Sequence, residues 1–177
     1  MKTITLLRHA DTISREEYRL TNKKDKSDLF RPLSKLGKIQ SKHIAKFALE
    51  HLSFDLVVCS PAKRTLQTLK PLKKFLPKNC IMISEYIAPD CGLEGYMKLT
   101  QNKAFMEAQN VLIIGHQPDL KSFATYIAPP FNALVPKGVL IRLVLEQGAK
   151  SLTKDFEGSG VIDFVIPPFV LEDFKTK

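Results

Sequence analysis

Short apolar runs alternate along the chain with longer stretches in which apolar residues recur every three or four positions. The continuous apolar runs predict buried strands, at 2–7, 54–59, 81–84 and 111–114. The longer stretches predict helices, at 34–52, from 60 through 69, at 93–108 and at 117–127. We expect Ser34 to cap the first helix, Ser60 and Pro61 to start the second, and Pro71 to end or kink that second helix.

The pattern changes from Gly138 onward, where two strand-like runs, 139–146 and 161–166, follow each other with no helix between them. They predict an antiparallel pair at one side of a mainly parallel sheet. The whole pattern predicts an α/β fold, a three-layer sandwich with helices on both faces of the sheet. The polar segment 11–32 is expected to be a long surface loop with room for one helical turn. The length fits a single domain over residues 1–177.

Composition excludes several classes of protein. Hydrophobic residues make up 44% and charged residues 25% of the chain, as in ordinary globular proteins and unlike disordered, collagenous or coiled-coil chains. No apolar run approaches the roughly 20 residues of a membrane span, and the N-terminus has no secretory pattern, so we expect a cytoplasmic protein. Three cysteines without C-x-x-C spacing indicate reduced thiols rather than a disulfide or a zinc site.

The positive charge is concentrated in the first half of the chain. Residues 1–80 hold 18 basic and 7 acidic residues, a net charge of +11, whereas residues 81–177 have a net charge of −2. This asymmetry fits a solvated lysine-rich surface, an anionic substrate, an acidic partner or nucleic acid. The lysine run at 23–26 has a loop-like composition and no interleaved aromatic residues, which makes nucleic acid the weaker interpretation.

The candidate chemistry lies just after three of the predicted strands. Arg8 and His9 follow the first strand, Ser60 and Arg64 follow the second, and His116 follows the fourth. Each signal alone is weak, but ligands of open α/β sheets bind beyond the carboxyl ends of the strands, where these side chains converge. Arginine matches phosphate oxygens, and histidine serves as nucleophile, acid or hydrogen-bond donor near neutral pH.

These residues resemble the motifs of the histidine phosphatase superfamily, the phosphoglycerate mutase-like proteins. The segment 7–10, L-R-H-A, resembles the R-H-G/A signature, and 60–68, S-P-A-K-R-T-L-Q-T, resembles S-P-x-x-R-x-x-Q-T. His116 after Gly115 resembles the second histidine of the superfamily. The segments 28–37, 89–92 and 111–118 are most similar to SixA-type phosphohistidine phosphatases. Ala10 replaces the usual glycine, as it also does in SixA-like sequences.

The resemblance implies a covalent mechanism without a metal ion or other cofactor. His9 would accept the phosphoryl group, and Arg8, Arg64 and His116 would bind its three equatorial oxygens. Arg31 would be a further ligand, and Ser60 would add a hydroxyl and the dipole of its helix.

The leaving group determines whether a proton donor is needed. An ester requires an acid, for which Glu85, Asp90 and Glu94 are the candidates, whereas the imidazole of phosphohistidine leaves readily. The leading hypothesis is therefore a phosphatase of a histidine-phosphorylated protein, such as a phosphotransfer domain or a carrier of a phosphotransferase system. The alternatives are a small-molecule phosphomonoesterase or mutase, a phosphate-dependent binding module without turnover, a nucleic-acid-binding protein, and a metallophosphatase, for which the usual H-x-H or D-x-H spacing is missing.

Overall fold

Six strands form one sheet in the computed structural model, which describes residues 1–22, 27–145 and 157–172. The strands are β1 (Lys2–Arg8), β2 (Leu56–Cys59), β3 (Ile81–Ile83), β4 (Asn110–Gly115), β5 (Leu140–Leu145) and β6 (Gly160–Ile166). The lysine run at 23–26 and the last residue of the expected strand 139–146 lie outside the described residues.

The sheet has the mixed topology that the pattern predicts. Its strand order is β3-β2-β4-β1-β5-β6. β3, β2, β4 and β1 are parallel, β5 is antiparallel to β1, and β6 is antiparallel to β5. Together with the helices, this confirms the α/β fold of the phosphoglycerate mutase-like type.

The helices cover both faces of the sheet and enclose two apolar cores. They are α1 (Arg15–Thr21), α2 (Lys35–His51), α3 (Lys63–Lys73), α4 (Gly92–Thr100), α5 (Lys103–Glu107), α6 (Asp119–Ile127) and α7 (Pro168–Glu172). One core packs α2, α3 and α7 against the sheet, and the other packs α4, α5 and α6 against the opposite face. β4 shows why its apolar run is continuous, since Val111 and Ile113 enter one core while Leu112 and Ile114 enter the other.

The strand register brings the candidate residues to one place. Arg8 at the end of β1 is paired with Gly115 at the end of β4, and Cys59 at the end of β2 is paired with Ile114. The residues that follow these positions are His9, His116 and Ser60. They therefore leave the sheet side by side at the carboxyl ends of three neighbouring parallel strands.

The described parts of the segment 11–32, residues 11–22 and 27–32, contain more helix than a loop with one helical turn. They contain α1 and a 3-10 helix, Asp28–Phe30. Ser14 caps α1 by accepting a hydrogen bond from the amide of Glu17 at 3.0 Å, and Tyr18 is buried. The pattern S-x-x-E is a helix-start signal that was present in the sequence. The expectation of a loop rested on the polar composition of the segment alone.

The expected start of α3 at Ser60 and Pro61 is wrong. The helix begins at Lys63, and Ala62, which makes no side-chain cap, occupies the N-cap position. Ser60 lies in the turn before the helix, where its hydroxyl contacts His116 instead. The helix dipole expected to act through a Ser60 cap therefore does not originate at Ser60. Pro71 lies inside the helix, which continues to Lys73.

Two other helix expectations also need correction. The predicted helix 93–108 is two helices, because Asn102 caps a new one by accepting a hydrogen bond from the amide of Ala104. The helix expected at 117–127 begins only at Asp119, after a cis peptide bond between Gln117 and Pro118. The short helix α7 was not predicted.

Candidate active site

His9 and His116 face each other at the carboxyl end of the sheet. Their ring centroids are 5.3 Å apart, and both residues are buried. The amide of His9 donates to the carbonyl of Gly115 at 3.2 Å, and the amide of Ser60 donates to that of Ile114 at 3.1 Å. These backbone bonds extend the sheet pairing just beyond the strands. They hold the three loops that carry the site at fixed spacing.

The hydrogen bond of His9 defines its tautomer. Its Nδ1 lies 2.8 Å from the carbonyl oxygen of Ala10, and because a carbonyl only accepts, Nδ1 carries the hydrogen. In the neutral ring, Nε2 therefore holds the free electron pair. The amide of Ala10 donates to Thr68 Oγ1 at 3.1 Å, which holds this turn in place. Ala10 is not among the positive-φ residues of the described chain, so alanine fits there without strain.

The environment keeps His9 neutral. Burial lowers the pKa of His9 to about 3, and the charges of Arg64, Arg8 and Lys137 act in the same direction, against the hydrogen bond to Ala10. A ring with this pKa is unprotonated throughout the neutral range. His9 thus has the protonation state that a nucleophile needs.

His116 lies between two polar side chains. Its Nδ1 accepts a hydrogen bond from Arg64 Nε at 3.3 Å, so the hydrogen of the neutral ring is on Nε2, which donates to Ser60 Oγ at 2.7 Å. Burial, followed by the charge of Arg64, lowers the pKa of His116 to about 2. The Ser60 hydroxyl also receives a long contact of 3.4 Å from the amide of Ala62, and its own hydrogen stays available to a ligand.

Asp28 organises the arginines beside the histidines, although it was not among the predicted site residues. Its carboxylate lies 3.2 Å from Arg64 Nη1, 2.7 Å from Arg31 Nε and 3.5 Å from Arg15 Nε, and its carbonyl accepts from Arg64 Nη1 at 2.7 Å. Partial burial tends to raise the pKa of Asp28, but the hydrogen bond from Arg31 and the charge of Arg64 outweigh it and lower the pKa. The i, i+3 spacing to Arg31 was a signal that could have identified it.

Arg31 is buried near the site, but its guanidinium is already engaged. Besides Asp28, it donates to Thr12 Oγ1 at 2.5 Å and to the carbonyl of Ile13 at 2.9 Å. These bonds tie the segment after β1 to the segment before α2. Arg31 therefore stabilises the positions of these two segments, in addition to any contact with a ligand.

Arg8 has a hydrogen bond and a spare donor. Its Nη1 donates to the carbonyl of Val135 at 2.7 Å, while its Nε is buried and has no partner among the described residues. Burial lowers the pKa of Arg8 from its ordinary value. A buried donor without an acceptor is costly, and Arg8 lies close enough to His9 for its charge to lower the pKa of that ring.

Lys137 adds a positive charge that the sequence analysis missed. Its Nζ lies 2.8 Å from Asp11, whose other carboxylate oxygen accepts a hydrogen bond from the Ser34 hydroxyl at 2.6 Å. The next residue, Gly138, has a φ of +81° and donates its amide to the carbonyls of Arg8 and His9. Glycine adopts this conformation without strain, so the turn before β5 lies directly against the loop that carries His9. No local sequence motif marked this long-range contact.

The three candidate proton donors differ in their surroundings. Glu85 begins a 3-10 helix, is exposed, and makes no side-chain hydrogen bond or ion pair within the described residues. Glu94 is exposed and lies 2.9 Å from Lys98. Asp90, with a φ of 67°, contributes its charge to the pKa of Arg64, which indicates that it lies near the arginine cluster.

The described residues contain no group of three or more His, Cys, Asp or Glu side chains arranged to hold a metal ion. In the same part of the chain, every helix is too short or too polar to cross a bilayer.

A protein-family model matches the first part of the chain. The model of the histidine phosphatase superfamily (branch 1) matches residues 4–85, which contain Arg8, His9, Ser60 and Arg64. The predicted resemblance to this superfamily is confirmed. The match supports a phosphatase of this superfamily. No curated protein matches the chain at a significant level.

Solved structures share the fold of this chain over nearly its whole length. The protein histidine phosphatase SixA complexed with tungstate has a TM-score of 0.73, with 19% identity over 96% of this chain and 99% of that one. A candidate phosphohistidine phosphatase SixA from Nakamurella multipartitia has a TM-score of 0.74, with 21% identity over 94% of this chain and 96% of that one. The alpha-ribazole phosphatase from Shigella flexneri has a TM-score of 0.62, with 16% identity over 94% of this chain and 96% of that one. At these identities the likeness establishes a shared fold.

Proposed function

We propose that this protein is a phosphohistidine phosphatase that removes phosphate from a histidine-phosphorylated protein through a covalent intermediate on His9. One observation carries the proposal: the Nδ1 hydrogen of His9 is bound to the carbonyl of Ala10, which leaves the Nε2 electron pair free beside the positive charges of Arg64 and Arg8. A neutral imidazole beside fixed cations suits attack on a phosphoryl group. SixA, whose structure contains the tetrahedral oxyanion tungstate, has a similar fold.

In the first step, the Nε2 electron pair of His9 attacks phosphorus, and the bond between phosphorus and the substrate imidazole breaks. The other ring nitrogen of the substrate phosphohistidine carries a proton from solvent, so the leaving ring keeps the electron pair of the broken bond and departs as neutral imidazole. Arg8 and Arg64 offset the charge on the phosphoryl oxygens, and the Ser60 hydroxyl donates its free hydrogen to one of them. His116 joins these donors when the anion replaces its contact with Ser60. Arg31 acts mainly through Asp28, because its guanidinium is already engaged.

In the second step, water attacks phosphorus and the bond to His9 Nε2 breaks. The ring regains its electron pair, one water hydrogen is released to solvent, and inorganic phosphate leaves. The carbonyl of Ala10 holds Nδ1–H throughout, so the same tautomer is ready for the next cycle. The fixed cations supply the positive charge that a metal ion supplies in many phosphoryl-transfer enzymes, and the proposal therefore includes no cofactor.

The proposed substrate fits the surroundings of the acidic residues. An imidazole leaving group asks little of a general acid, and the side chain of the exposed Glu85 has no hydrogen bond or ion pair with a described residue that would orient it as one. The charge of +11 on residues 1–80 favours an acidic phosphoprotein, such as a phosphotransfer domain or a carrier of a phosphotransferase system. We further propose that residues 1–177 form a single catalytic domain and act in the cytoplasm.

The test is single-turnover phosphate release from a purified histidine-phosphorylated phosphotransfer domain. We expect the wild-type protein to release phosphate and to carry a transient phosphoryl group, and His9→Ala to do neither. His51→Ala, on an exposed histidine at the end of α2, is the matched control and should keep full activity. If His9→Ala releases phosphate at the wild-type rate, the proposal is refuted. Tight phosphate binding by the wild-type protein without turnover would favour a binding module.

One observation favours a small-molecule phosphomonoesterase as the second candidate. The charge of Asp90 acts to raise the pKa of Arg64, which makes Asp90 the candidate among the three acids for protonating an alkoxide. Efficient turnover of a phosphate ester that collapses in Asp90→Asn or Glu85→Gln, together with slow turnover of phosphohistidine, would establish this alternative.

A further inference from the structure

A basic groove runs between α2 and α3, outside the candidate active site. It encloses about 550 Å³. Its floor contains Ala45 from α2 and Pro71 from α3, and Phe75 lies at its far end with 69% of its surface exposed. Four lysines form its rim, Lys38 and Lys42 on α2, and Lys70 and Lys74 on or directly after α3. The groove therefore combines an apolar floor with a cationic rim.

The rim lysines have no acidic partner within the described part of the chain. Each pair has i, i+4 spacing, which places both members on the same side of their helix. No carboxylate lines the groove, and none of the four forms an ion pair with a described residue. Like charges gathered around an apolar floor repel each other, so an anionic occupant would relieve an unfavourable interaction.

The groove begins beside the candidate active site. α2 starts directly after Ser34, whose hydroxyl donates to Asp11, two residues beyond His9. α3 starts directly before Arg64, and Gln67, one turn further, lines the groove. Both helices then run away from the site. At a rise of about 1.5 Å per residue, the helical path from Arg64 to Lys74 measures about 15 Å.

We infer that this groove is the docking site for an acidic segment of the phosphorylated substrate protein, an inference that rests on the proposed function. The segment lies along α2 and α3 with carboxylates against the four lysines and an apolar side chain over Pro71 and Phe75. The phosphohistidine of the same partner then enters the site at the near end of the groove. This arrangement selects a protein substrate over a free phosphate compound, because only a protein fills both places.

Charge complementarity argues for a protein segment as the occupant. A nucleic acid would also satisfy the lysines, but binding of single strands relies on aromatic side chains on which successive bases stack. The groove presents one aromatic ring, that of Phe75, among aliphatic and polar neighbours. An acidic segment with one apolar anchor matches this lining better.

The kinetic test removes the four rim charges and compares two substrates. In the variant Lys38→Gln/Lys42→Gln/Lys70→Gln/Lys74→Gln, we expect kcat/KM for an acidic histidine-phosphorylated protein to fall about 10-fold or more at low salt, mainly through KM. Hydrolysis of the small compound phosphoramidate should stay at the wild-type rate. The matched control replaces four lysines elsewhere, Lys78, Lys98, Lys103 and Lys121, by glutamine. It changes net charge equally and should affect the protein substrate less than threefold.

Equal losses in the two quadruple variants would overturn the inference, because they would show attraction to net charge rather than docking in the groove. An unchanged KM in the groove variant would overturn it as well.

A binding test separates this inference from the proposed function. The probe is a fluorescent helical peptide with glutamates at i, i+4 spacing and one leucine, titrated into the full chain. We expect it to bind the wild type and the control variant but not the groove variant. Groove-dependent peptide binding without any phosphohistidine hydrolysis would support the docking site and reject the proposed function. Hydrolysis without groove-dependent binding would support the proposed function and reject the docking site. Stronger groove-dependent binding of a single-stranded oligonucleotide would reject the acidic segment as the occupant.

Discussion

Acidification should destabilise this protein through the two histidines of the site. The pKa is about 3 for His9 and about 2 for His116 in the folded protein, against 6.5 for an ordinary histidine. Between these values the unfolded chain binds protons that the folded chain does not. Because the unfolded state binds more protons, the free energy of unfolding decreases as pH falls below 6.5.

The magnitude follows from the same pKa values. At pH 5.5, one unit below the ordinary pKa, protonation of each histidine in the unfolded chain is worth about 1.4 kcal/mol. For the two histidines together, lowering the pH from 7.5 to 5.5 should remove about 3 kcal/mol of stability. This is a substantial part of the 5–15 kcal/mol that is typical of a domain.

Urea denaturation of the full chain at pH 7.5 and 5.5 measures this effect. The wild type should lose about 3 kcal/mol more than the double variant His9→Asn/His116→Asn over the same interval. Each single variant should recover about half of the difference. The carboxylates of the site have lowered pKa values and titrate mainly below this window, so they contribute little. A double variant that loses as much stability as the wild type would refute the assignment of two neutral, proton-excluding rings.

Two further predictions concern residues that hold the site together. Asp28→Asn should lower kcat/KM about 10- to 100-fold because Arg64 loses the carboxylate that positions it. Phosphatase assays measure this loss, and circular dichroism checks that the variant is folded. A variant with wild-type kinetics would contradict the prediction. Gly37→Ala should destabilise the fold by about 1–3 kcal/mol, because its Cβ would lie 1.9 Å from the carbonyl oxygen of Asp11. Thermal unfolding measures this loss. Ala45→Gly on the same helix serves as a comparison for the effect of helix propensity alone. An unchanged Tm in Gly37→Ala would contradict the steric argument.

Local patterns were sufficient wherever burial produced a regular repeat. β1 and β4 are covered on both faces, so their apolar runs are continuous and their bounds were predicted within one residue. Ser34 was correctly identified as a cap because its hydroxyl meets an amide of its own helix. The same rule failed at Ser60, since a distant residue, His116, competes for that hydroxyl. A long-range partner of this kind leaves no trace in the local pattern.

The order of apolar and polar residues determined the alternation of strands and helices, the antiparallel pair at one side, and the ends of strands at which polar residues gather. These follow from the sequence because backbone hydrogen bonding and burial act over short stretches of chain. Only the tertiary structure decided the tautomer of His9, the grouping of three arginines around Asp28, and the packing of Lys137 and Gly138 against the loop that carries His9. Those features depend on distances between segments far apart in the chain, which arise only when the sheet brings the segments together.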